Sequence, residues 1–211
     1  MDAIIFDVDG TLWDSTSEVA IAWQMIAKNR KVPYEHITPD RLHQEFGKMM
    51  EDIAYSIFSD LPKEEALGIA NECMDYEVAY LLSHPPRPYD GVEQVFKYFS
   101  RKMPIFIVSN CQAGYIEVFL ETSDLDEYVT CHLCPGDTGL NKAANIKKIV
   151  SDFDLKSPVY VGDTMGDYNS AREAGVDFIY AKYGFGDVPD APETIFKPRD
   201  LIRIYEESER S

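Results

Sequence analysis

Apolar and polar positions follow two rhythms along this chain. The first block is Ala3-Ile4-Ile5-Phe6, four successive apolar residues that break into Asp7, Asp9, Gly10 and Thr11. A run that short and uninterrupted predicts a strand covered on both faces, as in a parallel sheet flanked by helices. Over residues 15–84 the rhythm becomes helical. Ser15-x-x-Glu18 reads as a capping box opening a helix through about Asn29, with Val19, Ala22, Met25 and Ile26 as its apolar stripe. Thr38-Pro39 starts a second helix that Gly47 can stop, and a third covers roughly 48–58. A fourth runs from near Pro62 to about Ser83 and sets Ala66, Ile69, Ala70, Cys73, Met74, Glu77 and Leu81 largely on one face. Pro85-Pro86-Arg87-Pro88 cannot continue a helix and ends the segment.

Beyond that hinge, helical and strand-like segments alternate. Helices are expected over 91–101, 114–122, 142–153, 167–174 and 200–207, and strands over 104–110, 128–133, 159–163, 178–181 and 194–196. The alternation predicts an α/β fold with a doubly wound parallel sheet, built from residues 1–14 and 85–211, into which an all-helical domain of residues 15–84 is inserted. Residues 206–211 read as a solvated terminus.

Composition narrows the function classes. A content of 45% apolar residues with 12% aromatics is that of a globular protein, and no apolar run approaches a membrane span. No targeting segment is evident, so a soluble cytoplasmic protein is expected. The net charge of −17 opposes general affinity for nucleic acid or anionic membranes. The four cysteines read as reduced thiols. Cys131-His132-Leu133-Cys134 is half a zinc pattern without a second half, on a strand that would aim the sulfurs to opposite faces.

Three expected strands end in functional groups: Asp7 and Asp9, then Ser109 and Asn110, then Gly162-Asp163 with Asp167 four residues on. Lys142 stands at a helix start between the second and third. A calcium loop is excluded, because Ile5 and Thr16 would fall where an EF-hand needs carboxylates. Helix capping explains one carboxylate of the first cluster and not two. The groups suit phosphoryl transfer, which needs a nucleophile, positioning and charge neutralisation, and several carboxylates suit Mg2+.

These clusters, Asp7-x-Asp9-Gly10-Thr11, the strand ending at Ser109, Lys142, and Gly162-Asp163-x-x-x-Asp167, resemble the four signature motifs of the haloacid dehalogenase superfamily of phosphohydrolases. The helical insertion resembles its mobile cap, in the phosphoglycolate phosphatase and β-phosphoglucomutase branch. The resemblance implies Asp7 as a nucleophile forming an aspartyl-phosphate, and Asp9 as the acid/base on the leaving oxygen and the water. It implies magnesium held by Asp7, the backbone carbonyl of Asp9 and Asp163, with Asp167 orienting water or bracing the shell. Ser109 and Lys142 would hold the phosphoryl group, with backbone amides near Asp9, Gly10 and Asn110 as further donors. Lys147 and Lys148 stand further inside the same helix as rivals of Lys142. Superfamily members that cleave halides or phosphonates lack an aspartate at the Asp9 position, so ester hydrolysis of a small phosphorylated metabolite is expected. A phosphomutase and a non-catalytic regulatory or binding module are the alternatives. The four histidines and both tryptophans are expected to be surface or packing residues.

Overall fold

Four buried apolar residues form strand β1 (Ala3–Phe6) near the middle of a six-stranded, all-parallel sheet in the computed structural model, which describes residues 1–210. Helices α1 (Thr16–Asn29), α2 (Pro39–His43), α3 (Met50–Ile57) and α4 (Lys63–Ser83) follow it with no strand between them. Helix α5 (Val92–Phe99) leads to β2 (Ile105–Val108), α6 (Tyr115–Ser123) to β3 (Cys131–Leu133), and the short α7 (Pro135–Thr138) to α8 (Lys142–Asp152). Then come β4 (Pro158–Gly162), α9 (Met165–Ala174), β5 (Asp177–Ala181), β6 (Thr194–Ile195) and α10 (Asp200–Ser208). Helix α10 thus enters the stretch read as a solvated terminus, whose Ser211 lies outside the described residues.

The strand order β3-β2-β1-β4-β5-β6 has a topological consequence. The chain winds outward from β1 through β2 and β3, then returns to β4 on the other side of β1. The crevice at such a switch point, outside the carboxyl ends of the strands, is where open α/β sheets hold ligands. Phe6 pairs in register with Val161, so Asp7 and Asp163 emerge side by side from adjacent strands. Each sheet face packs on its own apolar cluster, one around Ile4, Phe6, Val161 and Phe96, the other around Ile5, Tyr160 and Ile146. Among the described residues no helix is long and apolar enough to cross a membrane.

The helical segment departs from two sequence expectations. Ser15 precedes α1, yet its side chain makes no capping bond; the Asp14 carboxylate accepts from the Thr16 N–H at 3.0 Å instead. Met25 is exposed, and α1 buries Val19, Ala20, Ala22, Trp23 and Ala27, because α4 covers that side of it. Helix α4 buries the face expected of it, Glu77 included, except for Met74 at its margin, which is only partly buried.

Candidate active site

Strand ends and helix starts converge on one buried group of charges. Lys142, the first residue of α8, extends its Nζ to 2.9 Å from Asp7 Oδ1 and 2.6 Å from Asp167 Oδ1. Asp163 joins them, and carboxylate oxygens of Asp7, Asp163 and Asp167 lie within 4.8 Å of one another. All four residues are at most 2% exposed. Lys147 and Lys148 instead lie on the surface, paired with Glu173 and Asp152. The turn after β1 makes the gathering possible. Gly10 has φ 77°, and a side chain there would run into the Asp163 carboxylate. Thr11 Oγ1 reaches Asp163 Oδ1 at 3.5 Å, and the buried Ser109 side chain beside Asp7 favours that carboxylate's ionised form.

The charges respond to burial in different ways. Burial raises Asp7 to about 6, against the attraction of Lys142. Asp163 is driven well above the carboxylate range by burial and by Asp167 and Asp7 beside it. Burial pushes Asp167 up too, but the Lys142 charge and the bonds from Lys142 and Thr164 outweigh it and hold this carboxyl low. Lys142 is held firmly in its charged form, the two carboxylates overcoming its burial.

Asp167 has a full set of partners. Its Oδ2 accepts from the Asp163 N–H (3.2 Å), the Thr164 N–H (3.0 Å) and the Thr164 hydroxyl (2.7 Å), completing a capping box at the start of α9. Asp167 therefore caps a helix, orients Lys142 and fixes the Asp163 backbone together.

Asp9 points away from this group. Its Oδ1 accepts from Trp13 Nε1 (3.0 Å), the Ser15 hydroxyl (2.8 Å) and the Tyr115 hydroxyl (2.7 Å), and Oδ2 has no hydrogen bond among the described residues. Ser15 is occupied by this network, which is why it does not cap α1. Burial raises Asp9 to about 7, with the Tyr115 and Ser15 bonds pulling the other way. Asp7, Asp9, Ser109 and Asn110 line a pocket whose enclosed space is about 30 Å³, narrow where the helical segment lies over the strand ends. Helical-segment residues Trp23, Phe46, Met50 and Glu77 form its opposite wall. The Asn110 side chain bridges to that wall by donating to the Gly47 carbonyl at 2.9 Å.

Several residues at the site carried no motif. Phe185 donates its N–H to Asp163 Oδ2 at 2.7 Å from a loop after β5, and Gly184 lets that loop lie against Gly10 and Asp163. The only trace of it in the sequence is Gly184-x-Gly186 following a short apolar strand. Tyr115 looked like one more residue of a helix start. Trp13 and Trp23 pack as expected, and each also donates its indole N–H to a carboxylate, Asp9 and Glu77 respectively.

The donor set fits a divalent cation. Three buried carboxylates face a single ammonium, their donors are hard oxygens, and Asp163 is the one carboxylate without a cationic partner. Asp7, Asp163 and Asp167 each offer such a cation a carboxylate oxygen, and both oxygens of Asp167 also accept hydrogen bonds.

The sequence model of the haloacid dehalogenase-like hydrolases matches residues 4–181. The chain is similar to a phosphoglycolate phosphatase of Aquifex aeolicus, 24% identical with 98% of this chain and 97% of that protein covered. It is equally similar to an N-acetylmuramic acid 6-phosphate phosphatase of Pseudomonas aeruginosa, 24% identical over 98% and 95%. Among solved structures, a haloacid dehalogenase-like family hydrolase of Streptococcus pneumoniae superposes with a TM-score of 0.83 at 19% identity, over 97% of this chain and 98% of the other. That last likeness shows the fold.

Proposed function

The chain belongs to the haloacid dehalogenase-like hydrolases, and on that premise we propose that it hydrolyses a small phosphate monoester through a phosphoryl group carried on Asp7. The observation that carries this reading is the separation of two neighbouring carboxylates into different surroundings. Asp7 lies 2.9 Å from the Lys142 ammonium, which favours its ionised form, whereas Asp9 is held by Trp13, Ser15 and Tyr115 and faces the pocket with one free oxygen, its burial favouring the protonated form.

An Asp7 oxygen attacks phosphorus while protonated Asp9 delivers its proton to the leaving oxygen, so the alcohol departs neutral. The ionised Asp9 then takes a proton from water as the water attacks the phosphoryl group, which restores Asp7 and releases phosphate. Lys142 and Ser109 neutralise and orient the phosphoryl oxygens, and Asp167 holds Lys142 in place. Asp7, Asp163 and the Asp9 backbone carbonyl would hold magnesium, which would supply charge neutralisation to the phosphate. Residues 15–84 act as the cap, closing over the pocket to exclude bulk water.

Hydrolysis of p-nitrophenyl phosphate with magnesium, with EDTA, and by Asp7→Asn tests the reading. Turnover is expected only for wild type with metal; equal background rates in wild type and Asp7→Asn would end it. A mutase would convert a hexose 1-phosphate to its 6-phosphate without net phosphate release.

A further inference from the structure

The pocket holds a third carboxylate, beside Asp7 and Asp9, that this reaction does not use. Glu77 on α4 is 4% exposed, its Oε2 accepting from the Trp23 indole and its Oε1 from the Gln112 amide at 3.0 Å. Glu77, Trp23 and Gln112 all line the pocket beside Asp9. A buried carboxylate is tolerated only where donors meet its oxygens. Each Glu77 oxygen has one donor and can accept another, so the group retains acceptor capacity. Burial raises it to about 7, against the bonds from Trp23 and Gln112.

The charge balance of the pocket points one way. Asp9 and Glu77 both line it, and among the described residues none of those lining it is arginine, lysine or histidine. The nearby cap cations are engaged elsewhere: Arg41 and Lys48 both pair with buried Glu45, at 3.0 and 2.7 Å. Lys142 is engaged by Asp7 and Asp167. The rest of the cap wall is apolar, through Phe46, Met50 and Ile53. A leaving group bearing its own carboxylate would meet Glu77 beside the protonated Asp9, with no cation lining the pocket to pair with it.

We infer that Glu77 is a specificity residue accepting a hydrogen bond from a hydroxyl of the leaving group, so that the site takes monoesters of small uncharged polyols or sugars and discriminates against carboxylated ones. The inference rests on the phosphatase reading, and it parts from the substrate in the name of the Aquifex aeolicus relative.

The test measures kcat/KM of the whole chain with magnesium for glycerol 3-phosphate, glucose 6-phosphate and phosphoglycolate. p-Nitrophenyl phosphate, with neither hydroxyl nor carboxylate, serves as reference. At least one of the two polyol esters is expected to exceed phosphoglycolate by roughly a hundredfold. Glu77→Gln keeps the shape and removes the charge, and it should narrow that ratio by roughly tenfold, chiefly through a higher KM for the polyol ester. Phosphoglycolate turned over as well as or better than both polyol esters would overturn the inference. So would a folded Glu77→Gln that slows every ester equally, as a merely structural role would. Activity on p-nitrophenyl phosphate with phosphoglycolate preferred strikes this inference alone; inactivity on all four esters strikes the phosphatase reading with it. If Glu77→Gln does not fold, the wild-type ratio decides.

Discussion

Replacing Lys142 by methionine removes the single cation of a buried charge group while nearly keeping the shape of its stem. Its ammonium is 2.9 Å from Asp7 and 2.6 Å from Asp167, and none of the three is more than 2% exposed. Breaking a buried ion pair by deleting one partner costs about 3–5 kcal/mol, since the other charge is left uncompensated. With two carboxylates stranded and Asp163 close by, the loss should fall in the upper half of that range, a large part of the roughly 5–15 kcal/mol that holds a domain together. The effect carries a pH signature. Lys142 helps hold Asp167 below the ordinary carboxylate range. A depressed folded-state pKa contributes stability that is present above the unfolded carboxylate pKa and is lost as pH falls through the folded one. Methionine abolishes that contribution, so the gap between wild type and Lys142→Met should be widest near neutrality and shrink in acid. Urea unfolding across pH, with unchanged m-values as a check on the two states, measures it. Adding Asp167→Asn to Lys142→Met should return roughly 1–2 kcal/mol, because it removes one stranded charge. A loss below about 1 kcal/mol at neutral pH, on a quantity expected near 4, would refute the claim that this lysine balances the cluster.

Two other changes probe the proton donor and the loop behind Asp163. Tyr115→Phe removes a hydroxyl that favours the ionised form of Asp9, so the basic limb of kcat/KM should move up by roughly one pH unit; a limb that stays or moves down would contradict the role given to that bond. Gly184→Ala would drive a methyl into the Gly10 carbonyl and the Asp163 side chain, so the magnesium concentration for half-maximal activity should rise roughly tenfold, with about 1–3 kcal/mol lost in stability. An unchanged magnesium dependence would separate that loop from the metal.

How far the sequence announced all this depends on the range of the forces involved. Strands β1, β2 and β4 were legible because burial on both faces demands an unbroken apolar run, and the polar residues ending those runs fall where a parallel sheet opens its crevice. Asp167 was legible by its spacing from Asp163, whereas Lys142 was a lysine at a helix start, singled out through the family resemblance. Ser15 was misread, because its expected capping role is local and its actual partners are the Asp9 carboxylate and Tyr115, the latter a hundred residues away. Met25 was misplaced because the 3.6-residue period locates a stripe only to within a residue or so, and the packing of α4 selected the neighbouring line through Ala20, Trp23 and Ala27. Glu77 stood in view as the one acidic residue on the buried face of α4; what it meets there, Trp23 and Gln112, exists only once the helical segment is folded against the sheet. The loop at Gly184–Gly186 supplies a backbone N–H and room, which no side-chain pattern encodes.

The central claim, that the phosphoryl group passes through Asp7, is tested most directly by trapping it. In Asp9→Asn the base that activates water is gone, while p-nitrophenol leaves without needing a proton from the enzyme. The phosphorylated protein should therefore accumulate from p-nitrophenyl phosphate and magnesium. Acid quenching, proteolysis and mass spectrometry should find one phosphoryl group on the peptide holding Asp7, and none when Asp7→Asn is added. A phosphoryl group on another residue, or steady turnover by Asp9→Asn through an unmodified Asp7, would contradict the account.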